Sequence, residues 1–307
     1  MIEWLLIAFA GVSLPLLKAL PLRWVAAVGR LGGWVAWHLD RRHRRVALGN
    51  LAECFGATMD SPARLALARE HFRRLGENYA SALRTSVMTW EEVAPHIDVS
   101  GLEPARIVMD AHPDRSIVVA IGHFGNFELF TWAKEAFPGI QIATTYRSLR
   151  QPVATQMLLR LRRRSGCLFF ERRTEAPALR RALGTQRLAL GLLADQHDGR
   201  GLRLPFMGRD AGTSTAPAVF ALRYGCPMIT AFCFRTGSAR WRLEMGDEIP
   251  TRTSDGRRRS ISDISLDMNR SFERAIRRDP ANWFWVHRRW KAKPSSNSPE
   301  TPIVAVA

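Results

Sequence analysis

In the stretch IGHFGNFE, residues 121–128, a histidine and a glutamate close an apolar run with four residues between them. An imidazole can take a proton from a hydroxyl. A carboxylate on its other nitrogen fixes the tautomer and stabilises the imidazolium that forms. His123 is therefore a candidate general base and Glu128 its candidate orienting acid, a pairing suited to placing a group on a hydroxyl. On one continuous helix the two would lie about 140° apart round the axis. They meet only if His123 precedes the helix. Gly122 and Gly125 allow a sharp turn, and Asn126 is a good helix cap, which puts Glu128 in the first turn. The plain alternative is a strand ending in a polar turn. No protein nucleophile is offered: GTSTA at 212–216 only approximates G-x-S-x-G and lacks its last glycine.

Other candidates follow apolar runs in the same way. Asp195, with Gln196 after it, ends LALGLLA at 188–194 and is expected at the same sheet edge, in a site role or a buried hydrogen-bonding one. Arg147 and Arg172 each come after a run and are expected to hold phosphate or polarise a carbonyl. Arg162 and Arg164, within RLRRR at 160–164, are candidates for binding an acceptor or carrier phosphate, against the simpler reading of a solvated helix face. His197 and Asp198 beside Asp195 suggest a metal site, but no second histidine stands at ligand spacing and none is expected. Cys54, Cys167, Cys226 and Cys233 include no C-x-x-C pair and read as free thiols in a reducing compartment.

Elements with alternating periodicity must carry these side chains. SIVVAI (116–121), IQIATTY (140–146), CLFF (167–170), LALGLLA (188–194), PMITAFCF (227–234) and RWRLEM (240–245) read as strands. Between them NFELFTWAKEAF (126–137), PVATQMLLRLRRR (152–164), APALRRAL (176–183) and APAVFALRYG (216–225) read as helices, with an amphipathic helix at 261–278. Such alternation implies an α/β fold with a mixed, largely parallel central sheet flanked by helices. Ligands in such sheets sit beyond the carboxyl ends of the strands, where His123 falls. The expected division is apolar, membrane-anchoring helices over 1–40, a helical segment over 41–100, an α/β core over 101–292 and a disordered tail over 293–307.

The chain carries a net charge of +17, which favours anionic partners without choosing among them. From Trp4 to Leu17 it has no charged residue, and apolar character continues to Leu39 past Arg23 and Arg30. Pro15 and Pro21 break any single long helix. Membrane-embedded or interfacial helices, with Trp24, Trp34 and Trp37 at headgroup depth and RRHRR (41–45) beside them, account for this pattern. A nucleic-acid-binding protein would explain the charge but not the apolar start, and no helix-turn-helix, RRM or zinc signature occurs. A metal-dependent hydrolase would have to use His123, Asp195, His197 and Asp198.

HFGNFE resembles the H-x₄-D/E block of glycerolipid-type acyltransferases, and more closely that of the bacterial late acyltransferases of lipid A biosynthesis, the lauroyl/myristoyl family. RRVALGNLAECFG (44–56), TTYR (144–147), LLADQ (192–196), PFMG (205–208) and NWFWVHRRWK (282–291) resemble that family's other blocks in order. Phe127 stands where tryptophan is common, and Ser148 where proline is usual. The resemblance implies an acyl-carrier-protein thioester as donor and a hydroxyl of a phosphorylated glycolipid as acceptor, with His123 as base. It also implies a bacterial inner-membrane enzyme whose catalytic part faces the cytoplasm, working on an anionic membrane surface, with no metal or organic cofactor and no nucleic acid. A related acyltransferase with another lipid acceptor is the nearest alternative.

Overall fold

The runs of Val, Ile and Leu that read as strands become one sheet, because helices cover both of its faces and such strands need no polar side. The computed structural model describes residues 18–148 and 151–291. The expectations for residues 1–17 and for the tail fall outside them.

Three helices come first: α1 (Leu22–Leu39), α2 (Arg41–Phe55) and α3 (Ser61–Thr85), followed by a single turn, α4 (Trp90–Val93). Short acidic side chains cap two of them. Asp40 accepts from the His43 N–H at 3.0 Å to start α2, and Asp60 accepts from the Ala63 N–H at 2.8 Å to start α3. Then come β1 (Ile97–Gly101), α5 (Glu103–Ala111), β2 (Ile117–Ile121), a 3₁₀ run (Phe127–Ala136) and β3 (Gln141–Tyr146). After these follow α6 (Pro152–Arg162), β4 (Leu168–Glu171), α7 (Ala176–Thr185), β5 (Leu188–Leu193) and the hairpin of β6 (Leu202–Phe206) and β7 (Arg209–Thr213). The chain closes with α8 (Ala216–Tyr224), β8 (Met228–Gly237), β9 (Arg240–Glu248) and α9 (Ile261–Arg278).

The sheet order is β1-β9-β8-β2-β5-β3-β4, parallel throughout except for the β8–β9 hairpin. The α/β fold with a largely parallel sheet is thus present. Alternate residues of β2 feed the two cores: Val118 and Ala120 pack with Leu190, Phe272 and Trp283 on one face, and Ile117, Val119 and Ile121 with Leu129 and Trp241 on the other.

Two local expectations differ. The segment expected as a helix at 126–137 winds as a 3₁₀ run, and Asn126 makes no side-chain cap. Instead Asn126 is buried, because the chain before it is tied elsewhere: the Gly125 N–H donates to the Asn282 carbonyl at 3.2 Å, and Phe124 bridges Trp283. β1 also lies inside a stretch expected to be helical, paired in parallel with β9.

Among the described residues no helix is long and apolar enough to cross a membrane. α1 packs on α3 with almost no side chain between them. A Cβ on Gly76 would meet the Gly29 carbonyl oxygen at 2.1 Å and the Gly33 nitrogen at 2.6 Å. Arg30 closes this crossing with ion pairs to Glu70 at 3.0 Å and to the fully buried Glu77 at 3.2 Å. Glu77 also accepts from Arg235 of β8 at 2.8 Å, so the helical pair is tied to the sheet.

Candidate active site

β2 and β5 are parallel neighbours, with Ile121 opposite Leu193. Two residues further along each strand come His123 and Asp195, and the register brings them together. His123 Nδ1 lies 2.6 Å from Asp195 Oδ1, and the His123 backbone N–H donates to Asp195 Oδ2 at 2.7 Å. The indole N–H of Trp283 donates to the same Oδ2 at 2.7 Å. Asp195 is fully buried. Burial alone would raise its pKa, but the charge on His123 and the bonds from His123 and Trp283 outweigh it and hold the carboxyl below its ordinary range. An ionised carboxylate can only accept, so Nδ1 carries the proton and Nε2 is left as the basic nitrogen. Phe127 packs edge-on against the imidazole, with ring centres 4.9 Å apart.

The carboxylate expected on this imidazole was that of Glu128. It is held elsewhere. Arg162, at the end of α6, grips Glu128 with both arms of its guanidinium, Nε donating to Oε2 at 3.0 Å and Nη2 to Oε1. Sequence proximity suggested Glu128, whereas strand pairing supplies Asp195. Trp283 was not among the candidate site residues. It is buried, but its indole also binds the Asp195 carboxylate. Its signal was its place in NWFWVHRRWK, the most distinctive block of the chain.

Gly125 makes the close packing here possible. Its φ is +52°, and a Cβ there would meet the Cys233 carbonyl oxygen at 2.3 Å.

His123, Glu128 and Arg162 stand where two cavities meet. One, of about 480 Å³, has walls of Leu75, Tyr79, Leu83, Trp132, Leu161 and Phe284 and is predominantly apolar. The buried amide of Asn126 lines it and makes no hydrogen bond among the described residues. The other, of about 680 Å³, is bordered by Arg147, Arg172, Arg200, Tyr146, His197 and His287. Both volumes fall within the usual range for small-molecule sites, about 300–1,000 Å³. Arg147, Arg172 and Arg200 are exposed and have no carboxylate partner among the described residues. Burial is the main reason His287 is pushed down to about 4, so it sits neutral beside the cationic cavity.

The structure therefore brings His123, Glu128, Asp195, Arg147, Arg162 and Arg172 to one place. Arg164 is exposed and borders neither cavity; it lies in the 3₁₀ turn Arg163–Ser165 that follows α6, whereas Arg162 borders both. Among the described residues no group of three or more His, Cys, Asp or Glu side chains is placed to hold a metal ion.

No curated protein matches this chain. The family match is extensive: residues 1–292, which include both strands of the His123–Asp195 pair, the cationic cavity and the Trp283 block, fit one family throughout. The chain belongs to the bacterial lipid A biosynthesis acyltransferases.

Proposed function

We propose that this acyltransferase moves a fatty acyl chain from an acyl-carrier-protein thioester to a hydroxyl of a phosphorylated lipid A precursor, at the cytoplasmic face of a bacterial inner membrane. The observation that carries the reading is the position of His123: its Nδ1 is held by buried Asp195, and the ring stands at the junction of an apolar and a cationic cavity. An acyl chain suits the first, and phosphate groups of acceptor or carrier suit the second.

Nε2 of His123 takes the proton from the acceptor hydroxyl as its oxygen attacks the thioester carbonyl carbon. Asp195 offsets the charge of the imidazolium. Arg162 borders both cavities, and in this reading its positive charge offsets the oxyanion that forms on the carbonyl oxygen. As the tetrahedral species collapses, the C–S bond breaks and the departing sulfur takes the proton from Nε2. Ester and thiol leave, and no group remains on the protein.

The test is mass spectrometry of lipid A from cells with and without the protein. Loss of one secondary acyl chain is expected, and the lost mass gives its length. Unchanged lipid A, with another lipid short of one acyl chain, would overturn the acceptor.

A further inference from the structure

Tyr79 and Leu83 are 56% and 51% exposed, and both border the apolar cavity, so they mark its mouth. Tyr79 lies two positions from Glu77, about 160° round α3. Glu77 faces Arg30 of α1. On α1 the same geometry repeats: Val28 and Val35 are about 160° and 140° from Arg30. Both helices thus turn their ion-paired flanks one way and Val28, Val35, Tyr79 and Leu83 the other.

That second side is apolar and open. Trp24, Val28, Leu31, Val35 and Leu39 recur at helical spacing along α1, and all are exposed, Leu39 by 76%. Monomeric proteins rarely leave a strip of this kind bare. Its ends are basic: Lys18 and Arg23 at one, Arg41, Arg42 and Arg45 at the other, all exposed and without a carboxylate partner among the described residues. A helix with an apolar face, an exposed tryptophan and cationic ends fits the plane of an anionic bilayer surface. α1 has 18 residues and does not qualify as a span.

We infer that this strip docks flat on an anionic lipid bilayer and that the cavity mouth at Tyr79 and Leu83 opens inside the docked face, so that an acyl chain of the lipid acceptor slides sideways from the bilayer into the cavity. The portal rests on the reading of that cavity as an acyl-chain site. A chain taking this route never exposes its methylenes to water on its way to His123.

The experiment uses the full chain with Cys54→Ser, since the other three cysteines are buried. Val28→Cys, Leu31→Cys and Leu83→Cys are each labelled with an environment-sensitive fluorophore. Ile107→Cys, on an exposed apolar residue of α5, is the control. Phosphatidylglycerol–phosphatidylethanolamine vesicles carry a nitroxide on the lipid tails. Quenching at 28, 31 and 83 but not 107, weakened in phosphatidylcholine, is expected. Equal quenching at all four sites, or none, overturns docking. Probes at 28 and 31 already shielded without vesicles also overturn it: shielding at all protein concentrations means that residues 1–17 cover the strip, and shielding that grows with concentration means a second copy.

For the portal, Val28→Asp/Leu31→Asp should lose at least tenfold in turnover of vesicle-borne acceptor and stay within about twofold on detergent-solubilised acceptor. An equal loss on both, with folding intact by circular dichroism, overturns it. If the wild type transfers no acyl chain in either format, the proposed reaction fails while the quenching result still decides the docking.

Discussion

One carboxylate grips His123 twice, through the ring and through the backbone, and Trp283 grips the carboxylate. Asp195→Asn keeps the shape but loses the charge that balances the imidazolium. A loss of roughly 10²- to 10⁴-fold in kcat with KM changed only a few-fold is expected, comparable to His123→Ala. The double variant should be no worse than the poorer single, since both residues serve one proton transfer. Steady-state kinetics of the three variants checks this. Glu128 works through a different partner. A double-mutant cycle of Glu128→Gln with Arg162→Ala should show coupling, while Glu128→Gln with Asp195→Asn should come closer to multiplying. A third residue bears on pH. His71 is fully buried, its Nδ1 donating to the Ala281 carbonyl at 3.3 Å, and burial pushes it down from 6.5 to about 4. Between those values the unfolded chain takes a proton that the folded one refuses. The stability is therefore fully present above about pH 6.5 and is lost as pH falls towards 4, by on the order of 3 kcal/mol. Thermal unfolding from pH 7.5 to 4.5 should show a steeper fall for the wild type than for His71→Asn.

The helix crossing of α1 and α3 has no slack. Gly76→Ala would drive a methyl group into the backbone of α1, part the helices and loosen Arg30 from Glu77. Overpacking of this kind costs about 1–3 kcal/mol, so the melting temperature should fall by several degrees. Because α3 is also the wall of the apolar cavity, KM for the proposed lipid acceptor should rise with it; calorimetry and acceptor titration read the two effects. At this scale the limits of the sequence are plain. Runs such as SIVVAI and LALGLLA announced their strands, since unbroken apolar character signals burial on both faces. His123 was legible because a base between two glycines at a strand end is unusual. Its partner was not, because adjacency of β2 and β5 is a tertiary fact that no spacing within HFGNFE encodes. Arg162 was singled out for phosphate, but its grip on Glu128 was hidden for the same reason. The 3₁₀ run misled because its composition suits a helix, while Gly125, tied to the Asn282 carbonyl, fixes how the chain enters it. β1 is short and only half buried, and it lacks the apolar run that marks the others.

Across the whole molecule the +17 charge gathers in part around the cationic cavity, where Arg147, Arg172 and Arg200 stand unpaired among the described residues. Raising salt from 0.1 M to 1 M shortens the Debye length from about 10 Å to about 3 Å. If the proposed substrates are right, KM for carrier thioester and phosphorylated acceptor should rise across that range while kcat holds; a flat KM would assign these arginines to solvated surface. The sheet order adds one more consequence. His123 and Asp195 follow the central strands β2 and β5, whereas Arg147 and Arg172 follow β3 and β4 and Arg162 ends α6, a single excursion of the chain that leaves after β2, fills one edge of the sheet and returns at β5. The excursion also carries Glu128, which Arg162 holds. It joins the rest of the sheet through one strand pairing, β3 against β5, whereas His123 and Asp195 are brought together by β2 against β5. Under the proposed reaction, the arginines that would meet the acceptor's phosphates and the pair that would move its proton belong to different stretches of chain, so substitutions at Arg147 or Arg172 should change the choice of acceptor while His123 stays on Asp195.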